Sequence, residues 1–292
     1  MAYVILDLEW NSGYCKKTKG FLNEIIELGA VKLDPEMNIT GQFTIFIRPQ
    51  ITKRLNPMVK ELTRLSNEDL IHGVPFRYAV NKFGKFAKDC VIMSWSTSDL
   101  TALEANFEYY FGTNRISFLK SYADVQAYCQ ERLGLGNKNQ LSLQNAAEML
   151  EIETDDIPHH RAAGDSILAA RILKRLYEPE SFEKQIKLCN DDFYARLNFH
   201  SAYICNIDNP LIDKSEMYIN CDECNVRCER LEELRVRNKG FYSSYKCPSC
   251  GRLLIGKIQF KLNYDGVSVS KKVMPYTAEE PSEDNREGTE NE

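Results

Sequence analysis

Four acidic side chains and one histidine stand where a fold could gather them: Asp7, Glu9, Asp99, His160 and Asp165. Asp7 and Glu9 sit at i and i+2 of the apolar run Tyr3-Val4-Ile5-Leu6-Asp7-Leu8-Glu9. On a strand those two side chains share a face, and Val4, Leu6 and Leu8 take the other. Two adjacent carboxylates repel each other, so the pair favours a divalent cation between them. Alone it says little, because at this acid content about six such pairs arise by chance. Asp99 follows the run Val91-Ile92-Met93-Ser94-Trp95 and heads a stripe in which Leu103, Phe107 and Tyr110 recur at helical spacing. It reads either as a cap for the first turn or as a ligand aimed at a sheet. Asp165 shares a helical face with Leu168, Ala169, Ile172 and Leu176. Burying an unpaired carboxylate there would cost several kcal/mol. A metal ion offsets that cost, and so does an Arg or Lys partner. On one helix His160 would stand about 140° from Asp165. It converges only from the loop feeding the helix, where Pro158 favours extended backbone. A histidine at the mouth of a carboxylate cluster is suited to take a proton from water near neutral pH. His72, His159 and His200 read as solvated.

Cys221-x2-Cys224 and Cys247-x2-Cys250, separated by 22 residues, have the spacing of a four-thiolate zinc site. Pro248 and Gly251 suit the tight knuckle of a zinc ribbon. Four thiolates close the tetrahedron, so this Zn²⁺ is expected to be structural. Cys228 is a substitute ligand at C-x3-C spacing or a spare thiol. Residues 221–272 carry a net charge of +5, which four zinc-bound thiolates lower to about +3. Arg227, Arg230, Arg235, Arg237 and Lys239 with Phe241, Tyr242 and Tyr245 offer a grip on RNA or DNA. A protein partner docking on the ribbon is the rival reading. Lys16, Lys17 and Lys19 with Tyr14 and Phe21, in a loop expected over Asn11–Gly20, pair cations for phosphates with rings for bases. A solvated basic loop fits as well.

The elements that must position these residues follow from periodicity. Residues 2–10, Glu24–Leu33 and Ile39–Ile47 read as three strands of an antiparallel meander. Ser66 caps a short helix, and helices are expected near 75–87, 98–111, 122–133, 142–150 and 163–178. Strands at Val91–Trp95 and near Ile116–Leu119 are interspersed. Three antiparallel strands followed by alternating α and β is the order of an RNase H-like α/β domain, a mixed sheet flanked by helices. The expected layout is a catalytic domain over 1–178 and a connector over 179–216 that includes a charged helical segment at 182–197. A small β zinc ribbon over 217–275 and a disordered acidic tail over 276–292 follow.

A chain that is 43% hydrophobic and 27% charged is ordinary globular material. The net charge of −5 looks wrong for a nucleic-acid partner until it is located. Residues 277–292 hold −6 of it, which leaves the rest at +1. Bulk charge therefore neither supports nor excludes nucleic acid. No apolar run approaches the roughly 20 residues of a membrane helix. No basic n-region precedes Tyr3, so no secretory signal is expected. Five of the ten cysteines fall between Cys221 and Cys250, and the rest are scattered as reduced thiols would be in the cytoplasm.

Asp7-Leu8-Glu9, Ser94-Trp95-Ser96-Thr97-Ser98-Asp99 and His160-Arg161-Ala162-Ala163-Gly164-Asp165 resemble, in order and spacing, the three exonuclease motifs of the DEDDh (DnaQ-like) superfamily. The run Asn23-Glu24-Ile25-Ile26-Glu27-Leu28-Gly29-Ala30-Val31 resembles that family's second strand. The resemblance covers residues 1–178 and is nearest the RNase T-like and small-RNA-trimming branch. It implies a 3′→5′ exonuclease acting on single-stranded 3′ ends of RNA or DNA. Asp7, Glu9, Asp99 and Asp165 would hold two Mg²⁺ or Mn²⁺ ions about 4 Å apart, and His160 would act as general base. Trp10 departs from the family, many members of which carry threonine beside the terminal nucleotide, and this bears on substrate preference. A catalytically silent nucleic-acid-binding or regulatory protein on the same fold is the alternative.

Overall fold

Val, Ile and Leu crowd the first two β-rich runs, and both fold as long strands, β1 (Ala2–Cys15) and β2 (Gly20–Leu33). The structure is a computed structural model that describes residues 1–136, 140–157 and 160–276. Pro158, His159 and the acidic residues 277–292 lie outside the described residues. The chain forms two compact units, Met1–Asn198 and Phe199 onwards.

In the first unit β1 and β2 pair antiparallel from Tyr3↔Leu33 to Cys15↔Gly20. The loop expected over Asn11–Gly20 is therefore mostly strand, with only residues 16–19 left as its turn. Backbone pairing tolerates these polar side chains, and Asn11 is buried as a clamp. Its amide donates to the Arg54 carbonyl, and its Oδ1 accepts from Asn56 N–H. Then come β3 (Ile39–Phe46), α1 (Pro57–Thr63), α2 (Asn67–Ile71), α3 (Phe76–Phe86), β4 (Cys90–Ser94) and α4 (Ser98–Phe111). The chain continues through β5 (Ser121–Asp124), α5 (Val125–Arg132), α6 (Leu143–Met149), α7 (Ala162–Leu176), α8 (Pro179–Glu183), β6 (Lys187–Leu188) and α9 (Asp191–Leu197). The strand expected near Ile116–Leu119 lies later, at β5. Ile116 and Leu119 are buried in a turn closed by Leu119 N–H on the Ile116 carbonyl. The helix expected from residue 122 starts at Val125, capped by the Asp124 carboxylate on Ala127 N–H.

The sheet runs β3-β2-β1-β4-β5-β6, with β1/β4 and β4/β5 parallel and the other pairs antiparallel. This is the mixed sheet of an RNase H-like domain. One face, carrying Val4, Leu6, Leu8 and Leu28, is covered by α3 and α4 through Phe83, Leu103 and Phe107. The other, carrying Tyr3, Ile5, Val31 and Met93, is covered by α5, α6 and α7 through Tyr128, Ala146 and Leu168. The connector expected over 179–216 is divided between the units. Phe182 is fully buried among the rings of Tyr3, Tyr128 and Tyr177, and Phe193 and Tyr194 enter the other core. Large aromatic burial ties residues 179–198 to the first unit. The segment read as one helix over 182–197 is α8, β6 and α9.

The second unit is an antiparallel sheet of β7 (Ala202–Ile204), β8 (Glu229–Arg230), β9 (Arg235–Arg237), β10 (Gly240–Lys246), β11 (Leu253–Asn263) and β12 (Gly266–Pro275). Phe241, Tyr245, Ile258 and Phe260 form its core. No helix among the described residues is long and apolar enough to cross a membrane.

One close approach sets the position of α7. A Cβ on Gly29 would fall inside the backbone of Ala162 and Ala163, so only glycine lets the start of α7 lie on β2. Gly29→Ala is expected to lower unfolding free energy by about 1–3 kcal/mol, the range for overpacking, in denaturant titrations. An unchanged midpoint would show that this contact does not fix α7.

Candidate active site and cysteine cluster

β4 pairs with β1 only from Ala2↔Cys90 to Ile5↔Met93, so beyond Ile5 that edge of β1 is open. Asp7 and Glu9 fall on this free stretch, half-buried, on the face that Tyr3 and Ile5 present to α7. Asp7 pairs with Gly29 across the β1/β2 ladder. The contact of Gly29 with the first turn of α7 therefore brings Asp165 over Asp7. Ser166 reinforces it, its hydroxyl donating to the Gly29 and Ala162 carbonyls at 3.3 and 2.8 Å. Ligand oxygens of Asp7, Glu9 and Asp165 all lie within 4.8 Å of one another.

Asp99 enters from the β4–α4 connection, and its role combines both sequence readings. It stands in the first turn of α4, is 5% exposed, and its Oδ1 accepts the N–H of Leu8 at 3.1 Å. This answers a β1 donor that β4 leaves unpaired. Asp99 is outside the set of three mutually close ligands, yet its charge acts on Asp7. His160 is exposed in a left-handed turn, φ 54°, immediately before α7. It lines an open cleft of about 610 Å³ with Met58 and Leu62 of α1 and with Arg161. Trp10 is half-buried against the Val4–Leu6–Leu8 side.

Electrostatics mark the cluster as unbalanced. Burial, then the charges of Asp99, Asp165, Glu9 and Glu27, hold the Asp7 carboxyl well above the usual range. Burial and the charges of Asp165, Glu27 and Asp99 push Glu9 up to about 8 against the pull of Arg161. Asp99 rises to about 7 through burial, opposed by the Leu8 N–H and its own N–H, with Asp165 adding repulsion. Carboxylates crowded in this way are the donor set a hard divalent cation requires, and the residues present fit one.

Two residues singled out only as strand pattern prove to organise the site. Glu27, fully buried and opposite Glu9 in the ladder, takes a bidentate ion pair from Arg161 at 3.0 and 3.1 Å. Arg161 is the N-cap residue of α7 and follows His160 directly. Removing it would leave Glu27 buried alone, at about 3–5 kcal/mol. Glu24, also fully buried, accepts the N–H groups of Ile51 and Thr52 and the Tyr110 hydroxyl at 3.0, 2.8 and 2.8 Å. The Glu24 and Glu27 in the quoted run were the available signal, since buried acids need partners.

In the second unit the thiols of Cys221, Cys224, Cys247 and Cys250 also lie within 4.8 Å of one another. The two CxxC turns are built alike. Asn225 N–H donates to the Cys221 carbonyl and Gly251 N–H to that of Cys247, each at 2.9 Å. Cys221 N–H and Cys247 N–H return to Val226 and Arg252, also at 2.9 Å. Asn225 and Gly251 both take left-handed backbone, φ 52° and 72°. The backbone N–H of Cys250 is the main cause that lowers the Cys247 thiol to about 7. Two matched turns presenting four thiols fit a tetrahedral Zn²⁺. Cys228 is buried outside the set and pushed up to about 11, by burial first and then by Cys247 and Cys221.

A family model of RNase T, described as exonuclease, matches residues 4–173. No curated protein matches the chain. Among solved structures, the nuclease domain of 3′hExo, a DEDDh family member bound to rAMP, is 20% identical with a TM-score of 0.52. The match covers 60% of this chain and 90% of that one. A full-length 3′-exonuclease is 18% identical, also at 0.52, over 65% and 91%. Cell-death related nuclease 4 is 18% identical at 0.51, over 60% and 63%. At these identities the likeness establishes the shared fold. The family match spans Asp7, Glu9, Asp99, His160 and Asp165, and the chain belongs to the RNase T exonuclease family.

Proposed function

We propose that the protein is a metal-dependent 3′→5′ exonuclease that removes nucleoside 5′-monophosphates from single-stranded 3′ ends of RNA or DNA. The observation that carries this reading is the convergence of Asp7, Glu9 and Asp165, where burial and mutual repulsion together outweigh the pull of Arg161 on Glu9. Asp7, Glu9, Asp165 and Asp99 would hold two Mg²⁺ or Mn²⁺ ions, whose chemistry is to activate water and stabilise charge on the phosphoryl oxygens. His160, at the cleft, takes the proton of the attacking water as the 3′ oxygen of the penultimate nucleotide departs. Arg161, anchored on Glu27, holds the turn that presents His160. Met58 and Leu62, exposed along the same cleft, offer apolar surface to the terminal base. Cys221, Cys224, Cys247 and Cys250 hold one structural Zn²⁺, which suits a reducing cytoplasm.

Asp7→Asn and Asp165→Asn are expected to keep the circular dichroism of the wild type and to release nucleoside monophosphates roughly a hundredfold more slowly or worse. Wild-type turnover in either variant would sink the assignment.

A second expectation concerns stability without metal. The folded pKa of Glu9, about 8, lies above its ordinary 4.5. In the metal-free fold the Glu9 contribution to stability is therefore fully present below that ordinary value and is lost as pH rises towards 8. With free divalent cations removed, Glu9→Gln should melt above wild type at pH 8 and level with it at pH 4, by calorimetry. Added Mg²⁺ or Mn²⁺ should narrow the gap. Equal melting at both pH values would contradict the raised Glu9 carboxyl.

For the cysteine cluster, elemental analysis should find one zinc per chain, lost in Cys221→Ser together with near-ultraviolet signals of the second unit. Full retention of that signal after zinc removal would rule out a structural ion.

A further inference from the structure

The second unit contains a cavity of about 470 Å³ whose wall includes Lys214, Arg227, Arg230 and Tyr245. That is the size of a small-ligand site, and no acidic residue lines it among the described residues. Lys214 is shared with the exposed Asp208 at 3.3 Å. Arg227 lies over the Tyr218 ring at 4.3 Å, which orients a planar guanidinium without neutralising it. Lys271 stands 3.3 Å from the centroid of the same ring and pairs with Glu216 at 2.8 Å.

Tyr245 supplies an independent observation. The residue is 1% exposed, and its hydroxyl is buried with no hydrogen-bond partner. Buried hydroxyls find partners, and one left without costs stability that a phenylalanine would avoid. Arg230 is its neighbour across the β8/β10 ladder. A donor without a partner beside a cation, at the wall of a cationic cavity, is suited to an anionic oxygen. Ile207, Met217 and Leu234 make another part of the wall apolar.

We propose that this cavity binds one nucleotide of a single-stranded nucleic acid. Its phosphate meets Arg227, Arg230 and the Tyr245 hydroxyl, and its base lies against Ile207, Met217 and Leu234. The inference rests on the reading of the first unit as a nuclease, which makes a polyanionic chain the natural ligand. Phosphate beside a planar base is also the chemistry of a free nucleoside monophosphate, so the test separates the two sources.

The experiment uses the full chain carrying Asp7→Asn, without added divalent cations or chelator, and a fluorescent single strand of about 20 nucleotides followed by anisotropy. Adding Arg227→Ala with Arg230→Ala should raise Kd roughly tenfold near physiological salt. It should also flatten the log–log salt slope by about 0.7, the value for one phosphate contact on a single strand. Tyr245→Phe, which removes only the hydroxyl, should leave the melting temperature level or higher while raising Kd about threefold or more. Unchanged Kd and slope in both variants would overturn the proposal. So would binding of 5′-AMP that depends on these residues while the oligonucleotide remains unaffected, or equal dependence for an acidic peptide. If wild-type protein fails to hydrolyse any strand but the affinities move as stated, the nuclease reading falls and the cavity assignment stands.

Discussion

Repulsion among carboxylates around the open edge of β1 is the constraint to which the rest of the first unit answers. Asp7, Glu9, Asp99 and Asp165 are drawn from three separate segments, and burial and proximity raise the first three above the ordinary carboxylate range. A fold selected for stability alone would disperse them. Here each is pinned by something that cannot relax. The β1 ladder holds Asp7 and Glu9, the Leu8 N–H holds Asp99, and the contact of α7 with Gly29 holds Asp165. The Arg161–Glu27 pair secures the entry to α7 and brings a fifth acid beside the cluster together with its own cation. Crowding of this kind is what the proposed cation site requires.

The neighbouring loops follow from the same strand pair. Between Glu9 and Trp10 the β1/β2 register shifts from Glu27 to Ile25, leaving Ile26 as the extra residue of a bulge. Ile26 turns into a satellite core with Leu55, Leu65 and Leu70, which seats the α1–α2 segment that walls the cleft. Asn106 on α4 accepts from Ile25 N–H and donates to the Asn23 carbonyl, answering backbone groups at the irregularity. Glu24, two residues before Ile26, gathers the loop at 50–52. One bulge thus connects the strand that carries Asp7 and Glu9 to the cleft walled by α1.

What was legible in the sequence is what depends on local order. β1, α4 and α7 were readable because their apolar spacing states their faces, and the acids stand out against that spacing. The CxxC pairs were readable because a knuckle is encoded within a few residues. What escaped depends on distant partners. Nothing local to Glu27 reveals that Arg161, 134 positions away, will claim it, and nothing local to Phe182 reveals the ring of Tyr3. The residues after 178 therefore read as linker although they pack as core. The 11–20 arm read as loop because polar side chains hide a backbone ladder. His160 was read correctly as a loop residue feeding a helix, but its conformation comes from the fixed start of α7, which periodicity does not encode.

The most direct test of the central claim is a time course with a 5′-labelled single strand of RNA or DNA and Mg²⁺ or Mn²⁺. Stepwise shortening by single nucleotides from the 3′ end, with nucleoside 5′-monophosphates as the released product and no reaction when the metal is withheld, is the predicted result. Internal cuts, shortening from the 5′ end, or undiminished hydrolysis without a divalent cation would contradict it.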